Sequence, residues 1–206
     1  MLSVSANSAK GLLVHDKRFD PKQVHRLEDP ERLTWLPPVE IIDALGVEPG
    51  MQVADIGVGT GYFAFPLAHA VAPGRLFAID VEPQMLTLLR EKLSVPGAPA
   101  NIHTIEGEAA RTGLQDQSCD VAFYATVWHE IDDHTAALDE ASRFLRSGGR
   151  IAILDWSPEA TRPPGPPLEH RIARADVERQ LSRAGWTITT SQILGRYTYL
   201  VIASHL

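Results

Sequence analysis

Val53-Ala54-Asp55-Ile56-Gly57-Val58-Gly59-Thr60-Gly61-Tyr62-Phe63 is the stretch on which the reading of this chain turns. An apolar run ends in glycines at alternate positions, Gly57, Gly59 and Gly61, and the apolar start of a helix follows. Glycine lets a backbone turn sharply and lets a ligand reach amide groups with no Cβ in the way. Those amides and the opening of a helix suit a polar or anionic group. The spacing argues against two kinds of nucleotide site. A dinucleotide fingerprint needs a glycine where Tyr62 stands. A P-loop needs Gly-Lys followed by Ser or Thr, and this region has no such lysine.

Working outward, β-rich apolar runs at 51–56, 75–80, 101–106, 120–126 and 150–156 alternate with helical patterns. Their near-continuous apolar character predicts parallel strands buried on both faces, with helices covering the sheet. Met85, Leu89 and Leu93 form one helical stripe behind Pro83; Leu138, Ala141 and Leu145 form another, stopped by Ser147-Gly148-Gly149. Five prolines between Pro158 and Pro167 predict a stiff loop. Val177, Leu181 and Ala184 mark a further helix ending at Gly185, and 186–194 with 197–204 predict a terminal antiparallel hairpin. Residues 1–38 read as a preface or lid and 39–206 as a single α/β domain.

With 206 residues, 44% of them hydrophobic and 22% charged, one compact core is expected. The single cysteine, Cys119, excludes an intramolecular disulfide, a cysteine-caged zinc and a CxxC redox pair, which points to a reducing, cytoplasmic setting. The net charge of −7 is unevenly spread: the middle is acidic and both ends are basic. An acidic body argues against a nucleic-acid groove. The longest charge-free stretch, 56–74, is broken by glycine, proline and His69, so no membrane span is expected, and the N-terminus lacks the pattern of a signal peptide.

The second strand ends in Asp80, where a carboxylate can accept hydrogen bonds from both ribose hydroxyls of an adenosine. Asp55, two residues before the first glycine, would repel a pyrophosphate and welcome a cation. A ligand with a ribose at one end and a sulfonium-bearing amino acid at the other satisfies both acids, and S-adenosylmethionine is such a ligand.

At this point the chain resembles the class I S-adenosylmethionine-dependent methyltransferases over about residues 40–206. The resemblance rests on Asp55-Ile56-Gly57-Val58-Gly59-Thr60-Gly61, on Asp80, on Glu106-Gly107-Glu108-Ala109 and on Leu145-Arg146-Ser147-Gly148-Gly149-Arg150, in that order. It implies a Rossmann-like, doubly wound seven-stranded sheet, mostly parallel with an antiparallel last strand, and S-adenosylhomocysteine as product. It also implies that Glu108 stands where an Asp usually contacts the adenine amine, that Val81 flanks the base, and that Val58, Ala109 and Ala125 complete the donor site. Within that class the chain is similar to small-molecule enzymes related to the ubiquinone and menaquinone C-methyltransferases. Arsenite methyltransferases share the pattern, but their chemistry needs several thiolates and Cys119 stands alone.

The candidate catalytic residues are His129, His170 and Tyr62. His129 follows the fourth strand, where open α/β sheets place ligands, and is the best-placed base; the competing role is a histidine that merely ties down its loop. Glu130 could orient it. A zinc site with His134 is set aside, since HExxH requires the second histidine where Asp133 stands. His170 and Arg171 in the proline-rich loop are expected to approach the acceptor, and Arg171 favours an anionic one. Tyr62 and Trp128 are expected to wall the pocket, and His15, Phe19 and His25 belong to the preface that would close over it. The expected partner is a small-molecule acceptor, with no metal. Two other functions compete: a non-catalytic S-adenosylmethionine-binding sensor or partner subunit, and a nicotinamide-dependent oxidoreductase.

Overall fold

The computed structural model describes residues 19–160 and 164–205. Seven strands form one sheet: β1 (Gln52–Ile56), β2 (Arg75–Asp80), β3 (Ile102–Glu106), β4 (Cys119–Ala125), β5 (Leu145–Trp156), β6 (Thr187–Leu194) and β7 (Thr198–Ser204). Their order is β3-β2-β1-β4-β5-β7-β6, and only β7 runs against its neighbours. The chain crosses from the β3 side to the β4 side after β3, so the carboxyl ends of β1 and β4 flank the switch point where ligands bind in open α/β sheets.

The two faces of the sheet bury separate halves of the core. Val53, Leu76, Val121, Phe123 and Leu154 pack with α2 (Pro38–Leu45), α3 (Ala64–Val71) and α4 (Pro83–Leu93). Ala54, Ile79, Tyr124, Ile151 and Ile153 pack with α5 (His134–Phe144) and α6 (Arg174–Arg183). Successive residues of β1 and β4 thus point to opposite faces, as strand geometry requires. At roughly 1.5–3 kcal/mol for each large apolar side chain, these two layers supply the driving force that holds the strand ends in register.

One boundary differs from the sequence expectation. The helix expected to run to Leu145 stops at Phe144, because Leu145 already pairs with Cys119 as the first residue of β5. Both strand and helix bury an apolar residue there, so periodicity could not separate them.

The preface holds a 3₁₀ turn (Pro21–Arg26) and α1 (Arg32–Trp35), and it leads into α2. Hydrogen bonds tie it to the domain. Glu28 accepts hydrogen bonds from Thr60 and from Lys92 Nζ, the latter at 2.8 Å, and the Phe19 amide donates to Glu130 Oε2 at 3.1 Å.

Candidate active site

The carboxyl ends of β1, β2, β4 and β5, the preface and the proline-rich loop enclose one cavity of about 1250 Å³. That exceeds what a single drug-sized ligand normally fills, so a donor and an acceptor fit together.

The donor half is built by backbone. Gly57 has φ +74°, and a Cβ there would meet Val127 Cγ2 at 2.6 Å; Gly61 has φ +91°, and a Cβ would meet Leu89 Cδ1 at 2.6 Å. Gly57 therefore lets β1 turn beneath the β4 loop, and Gly61 lets α3 close on α4. Gly57, Val58 and Gly59 line the cavity, whereas Gly61 does not, so its expected ligand contact is replaced by a packing role. Contrary to expectation, four of the loop amides are already paired within the fold. Gly57 and Val58 donate to the Ile79 carbonyl, Gly61 to the Val58 carbonyl, and Gly59 to Asp80 Oδ2 at 2.8 Å.

Asp80 also accepts from the Glu82 amide at 2.9 Å, so it shapes the loop as well as facing the cavity. Asp55 is only 2% exposed, and its carboxylate takes no hydrogen bond among the described residues. Burial, reinforced by the neighbouring charge of Asp80, pushes its carboxyl up to about 7. An acid that faces a cavity without a partner suits an ammonium or a sulfonium. Val81, Glu108, Ala109 and Ala125 all line the cavity, and Glu108 is exposed.

The other half is built from side chains drawn from across the chain. His129, in a 3₁₀ turn (Trp128–Glu130), is 4% exposed. Its Nδ1 lies 2.8 Å from Asp155 Oδ1, and its amide donates to Asp155 Oδ2 at 2.9 Å. A carboxylate at Nδ1 fixes the proton there and leaves Nε2, 3.7 Å from Glu130 Oε1, with its lone pair on the cavity side. Burial alone would lower the imidazole pKa, but Asp155 and Glu130 outweigh it and hold it above the ordinary value. Burial pushes Glu130 up to about 7.

Asp155 has no exposure and was not singled out by the sequence, although it stands one residue before the end of its strand, as Asp55 does, while Asp80 ends its own. That shared position was the available signal. Trp35, Trp156, Tyr197 and Arg32 line the cavity and were missed too. Trp35 and Trp156 stand with ring centroids 6.4 Å apart, and the proline-rich loop lies flat on the Trp156 indole at Gly165, where a Cβ would come within 2.7 Å.

Among the expected residues, His170 and Phe19 line the cavity, while His25 is exposed outside it. His15 lies outside the described residues. Tyr62 lines the cavity, but its hydroxyl donates to the Leu36 carbonyl at 2.7 Å, which makes it a wall. Trp128 is not a wall: it is fully buried beneath the turn, stacked on His134 with centroids 4.7 Å apart and donating to Gln180 Oε1. Arg171 points away from the acceptor space. It donates to the carbonyls of Pro166, Ser157, Ala160 and Pro164, and so staples the loop it was expected to serve.

A doubly wound sheet with two acids, Asp55 and Asp80, lining a cavity at the carboxyl ends of its strands is the arrangement of an α/β methyltransferase-type site. The comparisons agree with it. The methyltransferase-domain family matches residues 54–153. An S-adenosylmethionine-dependent methyltransferase from Aquifex aeolicus, known from its crystal structure, is 31% identical. It superposes with a TM-score of 0.85 over 90% of this chain and 98% of its own. A demethylmenaquinone methyltransferase of Deinococcus radiodurans is 32% identical over 158 residues, which is 77% of this chain and 61% of that one. A ubiquinone/menaquinone biosynthesis C-methyltransferase of Shewanella piezotolerans is 31% identical over 117 residues, 56% of this chain and 47% of the relative. The chain thus spans about half the length of several curated relatives that it matches. It belongs to the S-adenosylmethionine-dependent methyltransferase family. Among the described residues, no helix is long and apolar enough to cross a membrane.

Proposed function

We propose that this chain transfers the methyl group of S-adenosylmethionine to a small, flat, ring-bearing acceptor that loses a proton as it is methylated. The observation that carries the proposal is one continuous cavity into which both the unpartnered Asp55 carboxylate and the Asp155-held His129 open. When bound, the donor supplies a sulfonium whose methyl carbon is already electrophilic, so orientation accounts for much of the acceleration.

The residues divide the work. Asp80 accepts from the ribose hydroxyls, Asp55 faces the methionyl ammonium, and Val81 with Glu108 meets the adenine. His129 Nε2 takes the acceptor's proton, and Asp155 stabilises the imidazolium that results. The preface and the proline-rich loop keep water from the transfer. The relatives' names refer to ubiquinone, menaquinone and demethylmenaquinone. Trp35, Tyr62, Trp156 and Tyr197 give this cavity walls that suit a flat ring. With Arg171 committed to backbone carbonyls, the case for an anionic acceptor loses its principal residue.

Incubation of the purified protein with methyl-labelled S-adenosylmethionine and a panel of phenols, naphthols and reduced naphthoquinones lacking a ring methyl tests this. Label transferred to a ring-bearing acceptor supports the proposal. Donor binding with no transfer to any member of the panel contradicts it.

A further inference from the structure

The methionyl end of the donor carries a carboxylate as well as an ammonium, and the amides of the three loop glycines are already committed. Four of the loop amides are spent inside the fold: Gly57 and Val58 on the Ile79 carbonyl at 2.8 and 3.0 Å, Gly59 on Asp80 Oδ2, and Gly61 on the Val58 carbonyl. The cavity walls nearby are acidic, with Asp20, Asp29, Glu31, Asp55, Asp80 and Glu82 among the lining residues. A carboxylate entering this space is repelled wherever no cation stands.

Arg32 is the cation in place. It sits on α1, lines the cavity and is 8% exposed, and its Nε has no hydrogen-bond partner among the described residues. Its guanidinium carbon lies 4.4 Å from the centroid of the Tyr62 ring, and that ring is fixed by its own hydroxyl bond to the Leu36 carbonyl. The charges of Glu28 and Asp29 act on it without forming an ion pair, and its planar fork matches a carboxylate. The other arginine on the cavity wall, Arg26, is exposed and donates to Gln23.

We propose that Arg32 is the carboxylate anchor of the donor site, so that Arg32 and Asp55 hold the two charges of the methionyl end, with Tyr62 as the platform beneath the guanidinium. The inference rests on the S-adenosylmethionine reading above. It makes the preface part of the donor site as well as of the wall of the acceptor space.

Calorimetric titration of the whole chain with S-adenosylhomocysteine and with its decarboxylated analogue tests the inference. The wild type is expected to prefer the carboxylated ligand roughly ten- to a hundred-fold, the range for a charge-assisted pair. Arg32→Gln erases that preference while leaving affinity for the decarboxylated analogue unchanged, which also shows that the variant is folded. Arg32→Lys, with charge but no fork, keeps part of the preference. Persistence of the full preference in Arg32→Gln overturns the inference, and so does a wild type that binds both ligands equally well, without recourse to any variant. A wild type that binds neither ligand overturns the S-adenosylmethionine reading itself, a result distinct from the other two.

Discussion

The two halves of the cavity are made in different ways. The donor half comes from short, local pieces of sequence at the ends of β1 and β2 and after β3, and hydrogen bonds from backbone amides, such as that of Gly59 to the Asp80 carboxylate, hold it in shape. The acceptor half is assembled from Trp35 and Tyr62, the turn after β4, the end of β5, the proline-rich loop and Tyr197. Backbone geometry tolerates little variation, whereas a wall of side chains can change its occupant one residue at a time. The difference explains how one fold can keep a donor and vary its acceptors.

If the halves are separable, His129→Gln breaks the comparison most forcefully. It should lower kcat by about 10²- to 10⁴-fold, the usual worth of a general base, and leave donor affinity within about twofold. Stopped-assay kinetics alongside donor titration check both numbers, and a matching loss of donor affinity would mean that the halves are not independent. Asp80→Ala should do the reverse and weaken donor binding by about 2–4 kcal/mol, since it removes the ribose contacts and the two amide bonds that shape the loop.

A pH series sharpens the comparison further. With Asp55 pushed up to about 7, donor binding requires its ionised form, so affinity rises with pH and levels off above neutrality. Between pH 8 and pH 6 it should fall about tenfold, and Asp55→Asn should flatten that slope. For the ligand-free protein the sign is opposite. A carboxyl whose folded pKa is raised contributes stability that is fully present below its ordinary pKa and is lost as pH rises toward about 7. Denaturant titrations of wild type and Asp55→Asn across that window read the difference. The smallest effect belongs to Arg171→Met, which frees the proline-rich loop. It should cost about 1–2 kcal/mol of stability and raise the acceptor KM severalfold while leaving donor affinity untouched.

The same division governs what the sequence discloses. The sheet, the terminal hairpin, Asp55 and Asp80 are legible because each follows from residues a few positions apart: a strand, a turn, an acid at the strand's end. Asp155 and His129 are 26 positions apart and meet only because β4 and β5 are neighbours, with Phe123 beside Ala152. Arg32 reaches the cavity because α1 folds back over Tyr62. Arg171 misleads for an instructive reason. Prolines supply carbonyls but no N–H donors, so a loop this rich in them needs an outside donor, and the nearest guanidinium is taken. Trp128 misleads because neighbours in a 3₁₀ turn point about 120° apart: His129 lines the cavity, and Trp128 packs in the core.

A crystal structure with S-adenosylhomocysteine bound tests the central claim most directly. The account predicts the ribose hydroxyls on Asp80, the ammonium beside Asp55, and the open side of the sulfur facing His129 Nε2 across the acceptor space. A nucleoside seated with its ribose away from Asp80, or with its sulfur walled off from His129, would contradict it.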